Sequence, residues 1–224
     1  MQYGSYQGTM YARRASRHIG LWDEGGRMKA ARFCTALAAV AWVGAVSASA
    51  TPPAAHGSAA AEAASLFDAQ GYRIARYRAP IAADPAPAKR IPLADALAMM
   101  PGRDALFIDV MPAEGGMRDG ASGVWRLAQP HRTIAGAQWH PEAGRMPADT
   151  DLWQALERAA HQAAPAKPVI LFCRVDCWMS WNAARRLAAD GLANVWWLAE
   201  GTDGWHEAGR ELVAAQPVTV PASR

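Results

Sequence analysis

An α/β protein with a mostly parallel central sheet and helices on both faces is predicted by three observations. Strand-like and helix-like segments alternate from about residue 91 to residue 209. The strand-like runs Ala105–Val110, Val169–Phe172 and Val195–Ala199 are continuously apolar, as in strands covered on both sides. Gly, Pro or a capping residue separates successive segments, so each is short enough to be one layer element. Right-handed crossovers would bring the carboxyl ends of the strands to one edge, where Asp109, His140 and Cys173 could share a crevice.

The elements follow in order. Tyr72–Arg78 alternates apolar and basic residues and predicts a half-exposed edge strand with Tyr72, Arg73, Arg76, Tyr77 and Arg78 on its exposed face. Ile91–Met100 predicts an extended start and then a helix stopped by Pro101 and Gly102. Ala105–Val110 predicts a buried strand ending near Asp109, and Pro112–Arg132 a long glycine-containing loop. Ala135–Pro141 predicts a brief strand and turn. Asp149–Arg158 opens with a capping residue and then spaces apolar side chains at helical intervals. Pro168–Cys173 is the central strand, Ser180–Asp190 a helix closed by Gly191, Val195–Ala199 a strand, and Gly201–Gly209 a turn with a short helix.

The front of the chain has a different character. Met28–Phe33 is short and basic, residues 34–46 are apolar, and Ser47–Ala50 are small. This order predicts a secretory signal peptide cleaved after Ala48 or Ala50, with translation starting at Met28 and residues 1–27 an extension. The apolar run is too short and too rich in alanine to predict a span that stays in the membrane. Residues 51–65 read as a flexible lead, 66–213 as one domain and 214–224 as a tail. The chain carries a formal charge of +3, but residues 1–50 contribute six Lys/Arg against two acids, leaving about −1 for the remainder. Such a balance points to no nucleic-acid partner and no anionic membrane surface.

Chemistry concentrates in Val169–Asn182. An apolar strand ends in Cys173, a loop carries a second cysteine at Cys177, and a helical pattern begins near Ser180. A thiol at the carboxyl end of a buried strand, facing a helix N-terminus, is placed for reactivity. The loop, Arg174, Val175, Asp176, Trp178, Met179 and Ser180, would turn backbone N–H groups toward Cys173 and favour its thiolate, with Arg174 adding charge. In an exported, oxidising compartment two cysteines are expected to form a disulfide, a redox pair or a metal site.

Four segments in order carry a resemblance: Leu106–Val110, His131–Ala137, Val169–Arg174 and Asn194–Gly201 with Gly204 and Trp205. Together they resemble a rhodanese domain. More narrowly, Gly71–Pro80, Asp176–Ala184 and Glu200–Trp205 are similar to the periplasmic rhodanese-like proteins of PQQ-dependent catabolism, named for a CXXCW motif. The resemblance implies that Cys173 holds sulfane sulfur as a persulfide, that Arg174–Met179 form the loop around it, and that Asp109 supports the site. It also implies a partner in a quinoprotein alcohol dehydrogenase system and a sulfane-sulfur or disulfide substrate, with no cofactor of its own. One departure bears on activity. The family's loop arginine, five residues after the cysteine, is replaced here by Trp178. Cys177 is the added element, able to resolve a Cys173 persulfide or to cycle with Cys173 as dithiol and disulfide.

Two other function classes fit the residues. A non-catalytic binding module would use Trp178 and Trp181 for stacking, with a structural Cys173–Cys177 disulfide. A metal-handling protein would use both thiolates with His140 or His206 for a soft ion, a weak signal for want of further ligands.

Overall fold

Five short strands lie parallel because the segments joining most of them are long enough to cross back over the sheet. The computed structural model describes residues 65–223. The expected signal peptide, the Met28 start and nearly all of the 51–65 lead lie outside the described residues. The strands are β1 (Lys89–Arg90), β2 (Leu106–Asp109), β6 (Gln138–Trp139), β7 (Val169–Phe172) and β8 (Val195–Trp197), in the order β1-β8-β7-β2-β6. The register pairs Leu106 with Val169, Asp109 with Phe172 and Leu171 with Trp197.

Helices cover both faces. Against one face lie α2 (Thr150–Ala163) and α3 (Trp178–Ala189), whose Leu152, Leu156, Met179 and Leu187 pack on Leu106, Ile108, Val169 and Leu171. Against the other lie α1 (Leu93–Leu97) and α4 (Gly201–Glu207), where Ala96 and Trp205 meet Phe107, Ile170 and Phe172. Period-2 side-chain alternation divides the strands between two apolar layers, so every buried strand residue removes apolar surface from water. The α/β architecture expected from the sequence, a mostly parallel central sheet with helices on both faces, is therefore present. Among the described residues no helix is long and apolar enough to cross a membrane.

Local signals explain the boundaries. Asp149 caps α2, its Oδ1 accepting from the N–H groups of Asp151 and Leu152. The expected 149–158 helix continues to Ala163. The predicted Ser180 start of α3 falls two residues late, because Cys177 serves as N-cap. The Pro112–Arg132 loop holds a hairpin, β3 (Met117–Arg118) with β4 (Trp125–Arg126). Beyond it, β5 (His131–Ile134) pairs antiparallel with β9 (Leu212–Ala215) in a separate two-stranded sheet. Residues after β9 are held down: Val218 N–H bonds the Trp139 carbonyl and Val220 is buried.

One local expectation is overturned. Tyr72–Arg78 is not an edge strand. Its backbone makes only isolated bridges at Arg73 and Arg78, and Arg76 takes a φ of 48°. The alternation is also inverted, with Arg73 buried and Ile74 exposed. The cause is aromatic: the Arg73 guanidinium lies 5.0 Å from the Phe67 ring centre and 5.2 Å from that of Trp178. Two π-faces and the carbonyls of Ala75 and Arg76 accept the cation that a strand pattern would place in water.

Candidate functional site

Cys173 follows the last residue of β7 and Cys177 caps α3; the two are joined by a disulfide with their Cα atoms 6.3 Å apart. The pair thus ties the end of the central strand to the start of the helix that covers it. Cys173 is fully buried and Cys177 nearly so, at 6 % exposure. Both lie in the apolar layer beneath α2 and α3.

The loop between them faces outward. Arg174 pairs with Glu114 at 3.1 Å. Val175 is exposed, and its N–H donates to Asp203 Oδ2 at 3.2 Å. Asp176 adopts a φ of 58°, and its carbonyl accepts from Ala79 N–H at 2.9 Å. Trp178 donates its N–H to the Tyr77 carbonyl at 2.8 Å. Met179 and Ser180 are buried; the Ser180 hydroxyl donates to the Cys177 carbonyl and accepts from Trp197 Nε1. The inward ring of amides expected around Cys173 is therefore not formed in this oxidised state, because the amides of Val175 and Trp178 are engaged by α4 and by residues 77–79.

Behind Cys173 the backbone is closed. Its carbonyl accepts the Thr202 N–H at 2.8 Å. Gly201, with a φ of 54°, packs so tightly that a Cβ there would overlap that carbonyl. In front, the segment 66–80 forms a strap across the N-terminus of α3. Asn182 reads the strap backbone at both ends of one residue: Oδ1 accepts from Arg73 N–H at 3.0 Å, and Nδ2 donates to the Arg73 carbonyl at 2.8 Å. Nδ2 also donates to the Gly144 carbonyl. Arg185 donates to the Gly71 carbonyl and lies over the rings of Tyr72 and Trp181, while the Tyr77 hydroxyl bonds the backbone of Met146.

Asp109 is placed elsewhere. Its partner across the sheet is Phe172, so it points to the face of α1 and α4 rather than into the layer holding Cys173. There its carboxylate accepts from Met111 N–H at 2.8 Å and Thr133 Oγ1 at 2.6 Å, and is hydrogen-bonded to His131 Nε2 at 2.7 Å. This cluster holds β5 against β2. The shared crevice expected for Asp109 and Cys173 is not built, since successive strand residues alternate faces.

His140 is buried; its Nε2 lies 3.2 Å from Gln138 Oε1 and its Nδ1 has no partner among the described residues. Burial lowers its pKa to about 4, so the ring is neutral at physiological pH. Among the described residues no group of three or more His, Cys, Asp or Glu side chains is placed to share a metal ion.

Sequence reasoning missed Arg73 and Asn182 as parts of the site and the bonds of Asp109 to His131 and Thr133. An asparagine in the first turns of an apolar helix was the available signal, because such a side chain is disfavoured there without a partner.

Against known proteins, the family model described as the rhodanese-like domain matches residues 93–208. No curated protein and no solved structure matches the chain.

Proposed function

Because the chain belongs to the rhodanese-like domain family, we propose that its working centre is the Cys173–Cys177 pair and that it acts as a thiol–disulfide redox protein on that scaffold. The observation that carries this reading is the disulfide itself, placed at the end of the central strand where the family holds its reactive cysteine. A dithiol substrate would be oxidised while the pair is reduced by two electrons. The same pair serves a sulfane-sulfur cycle. A persulfide on Cys173, attacked at its inner sulfur by the Cys177 thiolate, releases hydrosulfide and leaves the Cys173–Cys177 disulfide. Arg174, Val175 and Asp176 form the loop between the cysteines, Trp178, Met179 and Ser180 the first turn of α3 rather than the loop expected, and Asp109 supports the pair indirectly by fixing β5 to β2.

The setting we propose is the periplasm, on the signal-peptide character of residues 28–50 and the fit of two cysteines to an oxidising compartment. A supporting role in PQQ-linked alcohol oxidation rests on the likeness of Gly71–Pro80, Asp176–Ala184 and Glu200–Trp205. The CXXCW motif departs here by one residue. Three residues, Arg174, Val175 and Asp176, separate the cysteines before Trp178.

A second reading, a binding module with a structural disulfide, is favoured by one observation, the burial of both sulfurs. The two readings separate on the Cys173→Ser/Cys177→Ser double variant. The redox reading expects it to fold and to lose all oxidation of a dithiol peptide. Full function in that variant would favour the module.

A further inference from the structure

We infer that Cys177, not Cys173, is the sulfur that an external thiol attacks and that carries the mixed disulfide, with Cys173 as the leaving and resolving thiol. This rests on the redox reading above and assigns the two sulfurs their order. It exchanges the roles that the rhodanese resemblance implies.

Access argues for it. An attacking thiolate must approach a disulfide sulfur roughly in line with the S–S bond, from the side opposite the leaving sulfur. Cys173 is enclosed by permanent structure: the central sheet, the apolar side chains of α3, and α4, whose Gly201 and Thr202 press on its backbone. Cys177 is the less buried of the two. The strap runs beside it and meets the loop in a single antiparallel bridge between Arg78 and Cys177. Two backbone hydrogen bonds close that bridge, Trp178 N–H to the Tyr77 carbonyl and Ala79 N–H to the Asp176 carbonyl. At its Cys177 end the strap is held by these two backbone bonds and is no part of the sheet, so this end opens more readily than the sheet behind Cys173.

Electrostatics argue for it independently. Cys177 is the N-cap of a 12-residue helix, and its side chain caps nothing while it is in the disulfide. The N–H groups of Met179 and Ser180 have no acceptor among the described residues. These are the two positions that an N-cap side chain bonds. A thiolate at Cys177 would accept from them and lie at the positive end of the helix dipole, whereas Cys173 Sγ lies 3.7 Å from the Arg174 carbonyl and 3.8 Å from the Cys177 carbonyl, oxygens that repel a thiolate. The charged residues on the elements around Cys177 are of both signs. Arg73 and Arg78 come from the strap, Asp176 and the Arg174–Glu114 pair from the loop side, and Asp203 from α4.

The reaction then runs in two balanced steps. The substrate thiolate attacks Cys177 Sγ; a substrate–Cys177 disulfide forms, the Cys173–Cys177 bond breaks, and Cys173 leaves as a thiolate that takes a proton from water. A second thiolate of the substrate attacks the substrate sulfur of the mixed disulfide and releases Cys177, whose charge the Met179 and Ser180 amides accept. The substrate dithiol is oxidised to a disulfide and the pair is reduced. This order selects a dithiol with at least one thiol on a mobile, exposed segment that can pass the lifted strap.

The test uses the full chain in its oxidised form with limiting glutathione, followed by acid quenching, alkylation and peptide mass spectrometry. Glutathione is expected on Cys177 and the alkyl group on Cys173, in at least tenfold excess over the reverse. In parallel, Cys173→Ser and Cys177→Ser variants, each checked for native circular dichroism, are mixed with glutathione disulfide. Cys177 in the first is expected to react at least tenfold faster than Cys173 in the second. Adducts on Cys173, or equal reaction at both, overturn the order while leaving the redox function standing. If neither sulfur reacts until urea unfolds the chain, the redox reading fails and the order with it.

Discussion

Asn182→Ala is the perturbation that tests how the strap and the disulfide are coupled. Asn182 makes three hydrogen bonds from the interior of α3, two to Arg73 and one to Gly144. Alanine removes all three and leaves the buried Arg73 N–H and two carbonyls without partners. At about 1 kcal/mol net for each of the two bonds to Arg73, docking of the strap weakens by about 2 kcal/mol. A loss of that size raises the open population by about 30-fold, since 1.4 kcal/mol corresponds to a factor of ten. The side-chain stack of Phe67, Arg73, Trp178 and Trp181 remains, so the fold beneath is expected to persist. The assay is the rate at which excess glutathione opens the disulfide, followed by alkylation and mass, with hydrogen exchange at the Ala79 and Trp178 amides as the companion measurement. Both rates should rise together, and Asn182→Asp, which keeps only the acceptor, should fall between alanine and the natural chain. If Asn182→Ala frees the two amides to exchange but leaves the thiol rate within twofold, the strap is not what shields Cys177.

Three further outcomes follow from particular contacts. Asp109→Asn cannot accept at both carboxylate oxygens, so β5 should loosen at a cost of about 2–3 kcal/mol, read as a lower urea midpoint, while the site of glutathione attachment stays on Cys177. His140 has a folded pKa of about 4, below the ordinary 6.5, because burial disfavours its charged form. The unfolded chain therefore binds the extra proton first, and the contribution of His140 is complete above pH 6.5 and lost as pH falls toward 4, by up to about 3 kcal/mol; urea unfolding of the natural chain and of His140→Asn at pH 7 and pH 4.5 should show a smaller drop in the variant. Gly201→Ala places a methyl group against the Cys173 carbonyl at a left-handed φ, and thermal melting should show α4 undocked at a cost on the order of 2–4 kcal/mol.

The layered sheet was legible in the sequence because its strands are covered on both sides and so read as unbroken apolar runs. Val169–Phe172 and Leu106–Asp109 come within a residue or two of the predicted spans. The cysteine pair was legible for a different reason: two thiols in one strand-to-helix loop have few bland explanations. The strap was misread because period-2 alternation assumes that apolar side chains turn inward. Here a buried arginine is held between two aromatic rings, and the backbone is bonded by Asn182 rather than by a neighbouring strand. Strands β3 and β4 were missed because two-residue strands carry no periodicity, and β5 and β9 because they pair outside the main sheet with partners distant in sequence. His131–Ile134 finds its partner in Leu212–Ala215, some eighty residues later. Asp109 was correctly placed at a strand end, but the choice of face depends on register, and no single residue discloses it. The absence of an amide ring around Cys173 was equally hidden, since Val175 and Trp178 turn their N–H groups to Asp203 and Tyr77.

The most direct measurement is an equilibrium titration of the folded chain in a dithiothreitol redox buffer, counting free thiols by alkylation and mass while near-ultraviolet circular dichroism reports packing. A working pair predicts that Cys173 and Cys177 become free together in one two-electron transition, with the signal of the packed tryptophans retained. Thiols that appear only as that signal is lost would contradict it, and would leave the disulfide as a strut within a recognition domain.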